Sequence, residues 1–187
     1  MRSVPERAHE LAESPLWVGD AGAWDVLFLV SEIVAGSARG HFNSRMARPG
    51  EQRSLALRFA KGLLSRRWPF HHYFKPAMFL AARHGNSTIG VAFASHAQAS
   101  DGSDSVSLDY VAVDRRFHNR GVGKALVRAV LDQVPAGVKV HCLCAPASHA
   151  MEHVVARFGF KCVHKALPQR TPTGQQVVQP AHWVKQL

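Results

Sequence analysis

The feature that most constrains the fold is a change of hydrophobic period between residues 104 and 134. Residues 104–113 alternate apolar and other side chains, and this period of two predicts a strand with two unlike faces. From Val122 to Val134 the apolar residues recur at helical spacing, and Pro135–Ala136–Gly137 closes the segment. The sequence therefore predicts a strand that passes through a short loop into an amphipathic helix.

The loop between this strand and this helix contains glycine and is basic. Gly121 and Gly123 flank Val122 at the helix start, and four cationic residues surround the turn: Arg115, Arg116, Arg120 and Lys124. The first turn of a helix has unpaired amides and the positive end of the macrodipole, which together attract phosphate. The loop is therefore a candidate phosphate site, although an ordinary basic turn that uses glycine for close packing fits the same residues.

The rest of the chain predicts a mixed α/β protein. Helices are expected over 24–38, over 51–67 (ending where Trp68 precedes Pro69), and at about 148–157. Strands are expected at 77–84, 88–96, 138–144, near 159–166 and at 176–185, with a loop over 168–175. The turn Gly85–Asn86–Ser87 joins the first two of these strands as a hairpin.

Residues 111–126, VAVDRRFHNRGVGKAL, resemble the acetyl-CoA-binding motif of the GCN5-related N-acetyltransferases, the GNAT superfamily. The resemblance extends over roughly 24–187, with Gly40–His41–Phe42 and Phe158–Gly159–Phe160 as further local matches. It implies a GNAT-like α/β fold: a mixed, mostly antiparallel sheet, flanked by helices and splayed between the fourth strand (104–113) and the fifth (138–144). We expect a single domain over 1–187, with 1–20 considered as an N-terminal extension.

The resemblance also implies a function. It is that of an acyl-CoA-dependent N-acetyltransferase, which moves acetyl from acetyl-CoA, its co-substrate, to a primary amine by direct attack in a ternary complex. The fourth strand would hold the pantetheine arm and the loop would hold the pyrophosphate. The implied cofactor-binding residues are Val111, Ala112, Val113, His118, Asn119, Arg120, Gly121, Val122, Gly123 and Lys124. His118 stands where the family usually has Gln or Arg; we expect binding to survive because the cradle is mainly backbone.

Three side chains are candidates for the chemistry: Asp109, Ser148 and His149. Asp109 lies near the expected splay on the same face as Ser107, as a proton acceptor or as a structural carboxylate, and Tyr110 is expected on the opposite face in the core. Ser148 suits a helix N-cap better than a catalytic role, and His149 could act as a general acid because its ordinary pKa is about 6.5.

One position departs from the family pattern. Many members carry a tyrosine four residues before the glycine of the late Gly-Phe pair, where it can protonate the departing thiolate. Val155 stands there in this chain. The protein therefore uses another acid, lets solvent or the substrate protonate CoA, or is a non-catalytic CoA-binding regulatory module.

Composition limits the partners. The net charge of +10 favours an anionic partner, so an acetyltransferase acting on aminoacyl-tRNA is a second alternative. No apolar run approaches the roughly 20 residues of a membrane helix, and the N-terminus lacks a secretory h-region, so we expect a cytoplasmic protein without a membrane partner. Three cysteines, an odd count, indicate a reducing compartment rather than a disulfide framework.

The histidines and cysteines raise two further points. Cys142, Cys144, His149 and His153 could ligate a metal, but the spacing is not a usual zinc pattern, so we expect no metal and treat the C-x-C pair as small core residues. The aromatic and histidine-rich loop 68–76, with the first two helices, is expected to line the acceptor cleft. A homodimer is also compatible with the sequence.

Overall fold

A computed structural model describes residues 16–65, 77–98, 102–170 and 176–187. Its four α-helices are α1 (Ala23–Ala38), α2 (Pro49–Leu64), α3 (Val122–Leu131) and α4 (His149–Arg157). Its strands are β1 (Leu16–Asp20), β2 (Ala77–His84), β3 (Ser87–Gln98), β4 (Asp104–Val113), β5 (Lys139–Cys144), β6 (Lys161–His164), β7 (Leu167–Arg170), β8 (Gln176–Gln179) and β9 (Ala181–Gln186). Short 3-10 helices lie at Ser44–Ala47 and Arg115–Phe117.

Seven strands form one sheet in the order β1-β2-β3-β4-β5-β9-β6, and β7 pairs with β8 in a separate two-stranded sheet. Each neighbouring pair in the large sheet is antiparallel except β4 and β5, which are parallel. The loop from β4 and the whole of α3 provide the crossover that a parallel pair requires. The predicted α/β class, with a mostly antiparallel sheet flanked by helices, is confirmed.

The helices cover the sheet from two sides. Helices α1 and α2 bury Leu29, Ile33 and Phe59 against β2, β3 and β4. On the opposite face, α3 and α4 pack against a second core that includes Leu126 and Val155. Close approach is allowed at Gly62 of α2, where a Cβ would lie only 2.7 Å from the Phe93 ring. The two cores fix the helices on which the candidate site depends.

A buried carboxylate ties the start of α1 to the sheet. The Asp25 side chain is 2% exposed and accepts hydrogen bonds from the Gly22 N–H at 2.7 Å, Arg83 Nη2 at 2.7 Å and Thr88 Oγ1 at 2.6 Å. A buried charge is tolerated when it is paired and hydrogen-bonded in this way. Asp25 therefore orients α1 relative to β2 and β3.

The sequence-based element boundaries differ from the structure in four places. The single strand predicted at 176–185 is two strands, β8 and β9, which belong to different sheets. Strand β1 was not predicted, although it pairs along β2 from Leu16↔His84 to Asp20↔Leu80. The predicted loop 168–175 is wrong at its start, because residues 168–170 belong to β7. Helix α2 ends at Leu64, and the predicted stop at Trp68–Pro69 and the aromatic loop 68–76 fall at 66–76, outside the described residues. None of the helices in the described residues combines the length and the hydropathy that a membrane span requires.

Candidate active site

A β-bulge in β4 changes which side chains face each layer of the fold. The β3–β4 register runs Phe93↔Tyr110 and then Ala94↔Leu108, so Asp109 has no partner on β3. Before the bulge Leu108 packs in the core under α3, whereas after it Tyr110 packs in the core under α2. Tyr110 is buried as predicted, but the expectation that it faces away from Asp109 is wrong, because the extra residue puts both on the α2 side.

The fourth and fifth strands separate just beyond this bulge. Parallel pairing extends from Ser105↔Lys139 to Leu108↔Cys142 and stops, although β4 continues to Val113. The Asp114 N–H donates to the Ile89 carbonyl of β3 at 2.9 Å, so the Val113 carbonyl of the same peptide points the other way, toward the opening. In a strand the backbone N–H and C=O groups of alternate residues point to the same side, so those of Val111 and Val113 point into the gap between β4 and β5. The predicted splay between these strands is present.

The loop His118–Lys124 lies at the end of this open edge. Asn119 has φ 60° and Gly121 has φ 80° and ψ −1°, and these left-handed conformations turn the chain into α3. Among the described residues, no carbonyl accepts a hydrogen bond from the N–H groups of residues 119–124, whereas Ala125 N–H donates to the Gly121 carbonyl at 2.9 Å. A Cβ built on Gly121 would meet no atom within 4 Å. The loop thus offers open amides at the positive end of a helix.

The start of α3 is held close to the sheet by a glycine on β3. A Cβ on Gly90 would lie 2.9 Å from Val122 Cγ1 and 3.1 Å from Leu126 Cδ1. Glycine at this position therefore lets the first turn of α3 settle directly over β3, next to the open edge of β4. The amides of the loop and the backbone of β4 are brought together by this packing.

Side chains of the loop brace its backbone. His118 Nε2 lies 3.0 Å from the Val113 carbonyl, so the predicted cofactor-binding residue His118 is engaged with the end of β4. Asp114 accepts hydrogen bonds from the Arg116 backbone N–H and from its guanidinium, and the Arg116 side chain holds the pKa of Asp114 below its ordinary value. Arg120 lies over the Phe117 ring at 5.6 Å from its centroid. Lys124 is exposed.

Glu32 of α1 lies close enough to Asp114, Arg116 and His118 to interact with them electrostatically. Partial burial raises the pKa of Glu32 above its ordinary value, and the nearby Asp114 raises it further, while Arg39, His118 and Arg116 oppose the rise. Sequence analysis did not single out Glu32, because its distance from the loop depends on how α1 packs on the sheet.

Asp109 is surrounded by hydrogen-bond donors. Its Oδ2 accepts from Ser95 Oγ at 2.6 Å and from Arg58 Nη2 at 2.8 Å, and its Oδ1 accepts from Ser107 Oγ at 2.7 Å. Arg58 also lies over the Phe93 and Tyr110 rings. These contacts join α2 to β3 and β4 at the bulge, so Asp109 has a structural task whether or not it accepts a proton.

Ser148 and His149 occupy different environments. Ser148 is the N-cap residue of α4, but its hydroxyl makes no capping bond and instead donates to the His41 carbonyl at 3.2 Å. The predicted N-cap position is therefore confirmed, but the hydroxyl ties α4 to the segment after α1 and does not cap the helix. In the same region a Cβ on Gly40 would lie 3.5 Å from Ala147 Cβ. The His149 side chain is 76% exposed, with Nδ1 3.5 Å from Glu152 Oε2.

A buried core residue, Val155, stands at the position where many family members have a tyrosine. Val155 is fully buried between α4 and the sheet. Cys142 and Cys144 are also buried, with Sγ atoms 3.9 Å apart, and the contact with Cys144 together with burial raises the pKa of Cys142 well above its ordinary value. The C-x-C pair therefore belongs to the core, as predicted. The described residues contain no group of three or more His, Cys, Asp or Glu side chains arranged to hold a metal.

Sequence analysis missed a histidine cluster on the open half of the sheet. His141 Nδ1 lies 3.0 Å from His182 Nε2, and the two rings stack with centroids 5.2 Å apart. His164 stacks on His182 from the other side, at 6.2 Å. Burial lowers the pKa of His182 below its ordinary value, and the neighbouring His141 and His164 lower it further. The sequence shows only that β5 and β9 alternate with a period of two, and this alternation does not predict which histidines lie in contact.

Comparison with known proteins gives the family. The model of the acetyltransferase (GNAT) family matches residues 46–160, which is more than half of the chain and includes the splay and the 118–124 loop. The chain belongs to the GNAT family of acetyltransferases. The suspected membership is confirmed, and acetyl-CoA is the co-substrate of this GNAT family. A comparison with curated protein sequences found no match.

Solved structures of GNAT proteins share the fold at low sequence identity. A phosphinothricin acetyltransferase from Sinorhizobium meliloti, in complex with acetyl-CoA, is 15% identical with a TM-score of 0.67, over 91% of this chain and 87% of that one. A GNAT acetyltransferase from Streptococcus pneumoniae is 15% identical with a TM-score of 0.61, over 92% and 100%. The PaiA N-acetyltransferase from Thermoplasma acidophilum, in complex with coenzyme A, is 11% identical with a TM-score of 0.60, over 92% and 99%. These likenesses concern the fold.

Proposed function

We propose that this GNAT protein transfers acetyl from acetyl-CoA to a primary amine by direct attack within a ternary complex. The observation that carries the proposal is the continuity of two open backbone surfaces. The free edge of β4 at Val111 and Val113 leads directly to the unaccepted amides of residues 119–124. A thioester arm needs an edge to pair with, and a pyrophosphate needs convergent N–H donors, so one extended molecule fits both.

The fit of the diphosphate rests on the loop backbone. With no protein atom within 4 Å of a Cβ on Gly121, the amides can be approached directly. Arg120 and Lys124, both exposed, add cationic donors beside them. His118 would act indirectly, by holding the end of β4 through the Val113 carbonyl. The thioester supplies an activated acetyl group at the splay, where the backbone N–H groups of Val111 and Val113 are available to a developing oxyanion.

Direct attack is supported by the state of the cysteines. A covalent acetyl-enzyme needs an accessible thiolate, whereas Cys142 and Cys144 are buried and the pKa of Cys142 is raised. Cys162 is exposed, but it lies on β6, which is separated from β5 by β9, and its Sγ donates to the His164 carbonyl at 3.3 Å. The predicted catalytic roles of Asp109, Ser148 and His149 remain proposals. Asp109 and Ser148 also make hydrogen bonds that join elements of the fold, so their replacement would affect structure as well.

The test is acetyl-CoA turnover, followed as free thiol release, against a broad panel of amines. We expect amine-dependent release, intersecting initial-velocity patterns, and no labelled protein when radiolabelled acetyl-CoA is supplied without an amine. Labelling of the protein at a cysteine would overturn direct attack. Tight CoA binding with no turnover on any amine would favour a non-catalytic CoA-binding module, the alternative raised by the buried Val155.

A tRNA-borne acceptor is the second candidate, favoured by the net charge of +10. Phosphate contacts release counterions, so the affinity for aminoacyl-tRNA should fall linearly with salt on logarithmic axes, with a slope near the number of phosphates neutralised. An acetylated aminoacyl-tRNA product with that salt dependence would support this acceptor. Equal rates on the free amino acid and on the aminoacyl-tRNA would exclude a contribution from the nucleic acid.

A further inference from the structure

Three histidines from three neighbouring strands line the sheet face that α1 and α2 leave open. They are His141 of β5, His182 of β9 and His164 of β6. The alternating burial of β5 places Val140, Cys142 and Cys144 in the core under α3 and α4. His141 therefore projects to the other side, the same side as Asp109.

The cluster lies at the level of the splay. The last β4–β5 pair is Leu108↔Cys142, so Leu143 is the first residue of β5 beyond the pairing. His182 is the register partner of Leu143 across β5 and β9, and His164 is the register partner of His182 across β6 and β9. The Leu143 side chain, which lies on β5 between the opening and His182, is 61% exposed.

Hydrogen bonding selects the nitrogen of His182 that is available. His182 Nε2 is engaged with His141 Nδ1 at 3.0 Å, whereas His182 Nδ1 is in contact with no acceptor or donor among the described residues. An imidazole pair of this kind needs one N–H donor and one lone pair. When His182 Nε2 carries the hydrogen and donates to His141, the lone pair of His182 lies on Nδ1.

We propose that His182 is the proton acceptor for the attacking amine and that His141 is a positioning residue that fixes its tautomer. This inference rests on the proposed amine acetylation. His182 Nδ1 takes one proton from the acceptor ammonium, directly or through water, and frees the nitrogen lone pair. The C–N bond then forms as the C–S bond breaks, the departing thiolate receives the second proton lost by the nitrogen, and His182 returns its proton to solvent.

The surroundings of His182 suit this task. The groups that face it are His141 and Leu143 on β5 and His164 on β6. Lys161, the register partner of Val184, is the next charged group along β6. The lowered pKa of His182 keeps its ring neutral at physiological pH, as a base must be before reaction. Asp109, by comparison, already accepts from Ser95, Ser107 and Arg58.

The experiment compares His182→Gln, His141→Gln and the control His164→Gln, whose parent ring stacks on His182 without a hydrogen bond to it. Using the best amine from the panel, we expect wild-type kcat/KM to fall at acid pH. His182→Gln should lower kcat/KM about 100-fold and remove this acid limb. Its CoA affinity and thermal unfolding should be unchanged. His164→Gln should retain the rate and an acid limb, and the midpoint of that limb should move to higher pH because His164 lowers the pKa of His182.

A second readout is independent of turnover. NMR titration of the histidine rings without ligand should give His182 a midpoint that matches the acid limb, and His141→Gln should move the midpoint and the limb together. The proposal is overturned if His182→Gln keeps the wild-type rate and limb, or if midpoint and limb move independently. Absence of turnover by wild-type protein on every amine would instead remove the proposed function itself, and this inference with it.

Discussion

Replacement of Gly121 tests whether the 118–124 loop holds a diphosphate, and Gly137 provides a matched control. Gly121 has φ 80° and Gly137 has φ 85°, and a Cβ at either residue would meet no atom within 4 Å. A left-handed conformation costs an L-residue roughly 1–2 kcal/mol. Gly121→Ala and Gly137→Ala should therefore lose similar stability. At 187 residues that loss corresponds to a fall in Tm of about 2–8 °C.

The effect on CoA affinity should separate the two variants. A methyl group on Gly121 occupies the space through which a phosphate would approach the loop amides. Loss of one hydrogen bond to a charged group costs about 1.5–3 kcal/mol, which is about a 10- to 150-fold weaker Kd. Gly121→Asp adds a like charge; at about 5 Å and an effective dielectric of about 20, its repulsion from one phosphate charge is about 3 kcal/mol. Gly137→Ala and Gly137→Asp should bind CoA as the wild type does.

The assay is calorimetric titration of each variant with CoA at fixed ionic strength, with thermal unfolding measured in the same buffer. We expect four folded proteins, of which only the two Gly121 variants bind CoA weakly. If Gly121→Asp binds CoA as tightly as Gly137→Asp, the diphosphate is held elsewhere and the assignment of the loop is wrong.

Three further predictions concern Asp25, the cysteines and His182. Asp25→Ala removes the carboxylate that Gly22, Arg83 and Thr88 share, and should lower the free energy of unfolding by about 3 kcal/mol in urea titrations; an unchanged value would refute its role as the anchor of α1. A maleimide should label exposed Cys162 in the folded protein and spare Cys142, whose pKa is raised; labelling of Cys142 at the same rate would contradict its burial. The pKa of His182 is lowered in the folded state, so as the pH falls below about 6.5 the unfolded chain binds a proton at this residue before the folded chain does. The free energy of unfolding should therefore fall with pH over that range, and it should fall less in His182→Gln.

The fold could be predicted from sequence where local pattern and packing agree. Strand β4 has the predicted limits 104–113 because its period of two persists to the residue where the helical period begins. Helix α1 differs by one residue from the predicted 24–38. Strand β1 escaped prediction because the five residues LWVGD carry no clear alternation, and their pairing with β2 joins distant positions, from Leu16 with His84 to Asp20 with Leu80.

One part of the candidate site could likewise be predicted from local sequence, and another part could not. The 118–124 loop could be located from sequence because a helix start and its glycines are adjacent along the chain. The contact between His141 and His182 could not, because it depends on β9 inserting between β5 and β6. The donors around Asp109 likewise come from three elements, α2, β3 and β4. Local pattern does not show which of these side chains meet.

The bulge at Asp109 links the fold to the proposed chemistry. Up to Leu108 the even-numbered residues of β4 face α3, and after the extra residue Tyr110 and Ala112 face α2 instead. A one-residue shift exchanges the two faces of a strand, and a bulge bends the strand that contains it. Pairing with β5 ends at Leu108, the residue just before the bulge. Arg58 and the two serines hydrogen-bond to the Asp109 carboxylate and so stabilise the bulge at the point where the free edge of β4 begins.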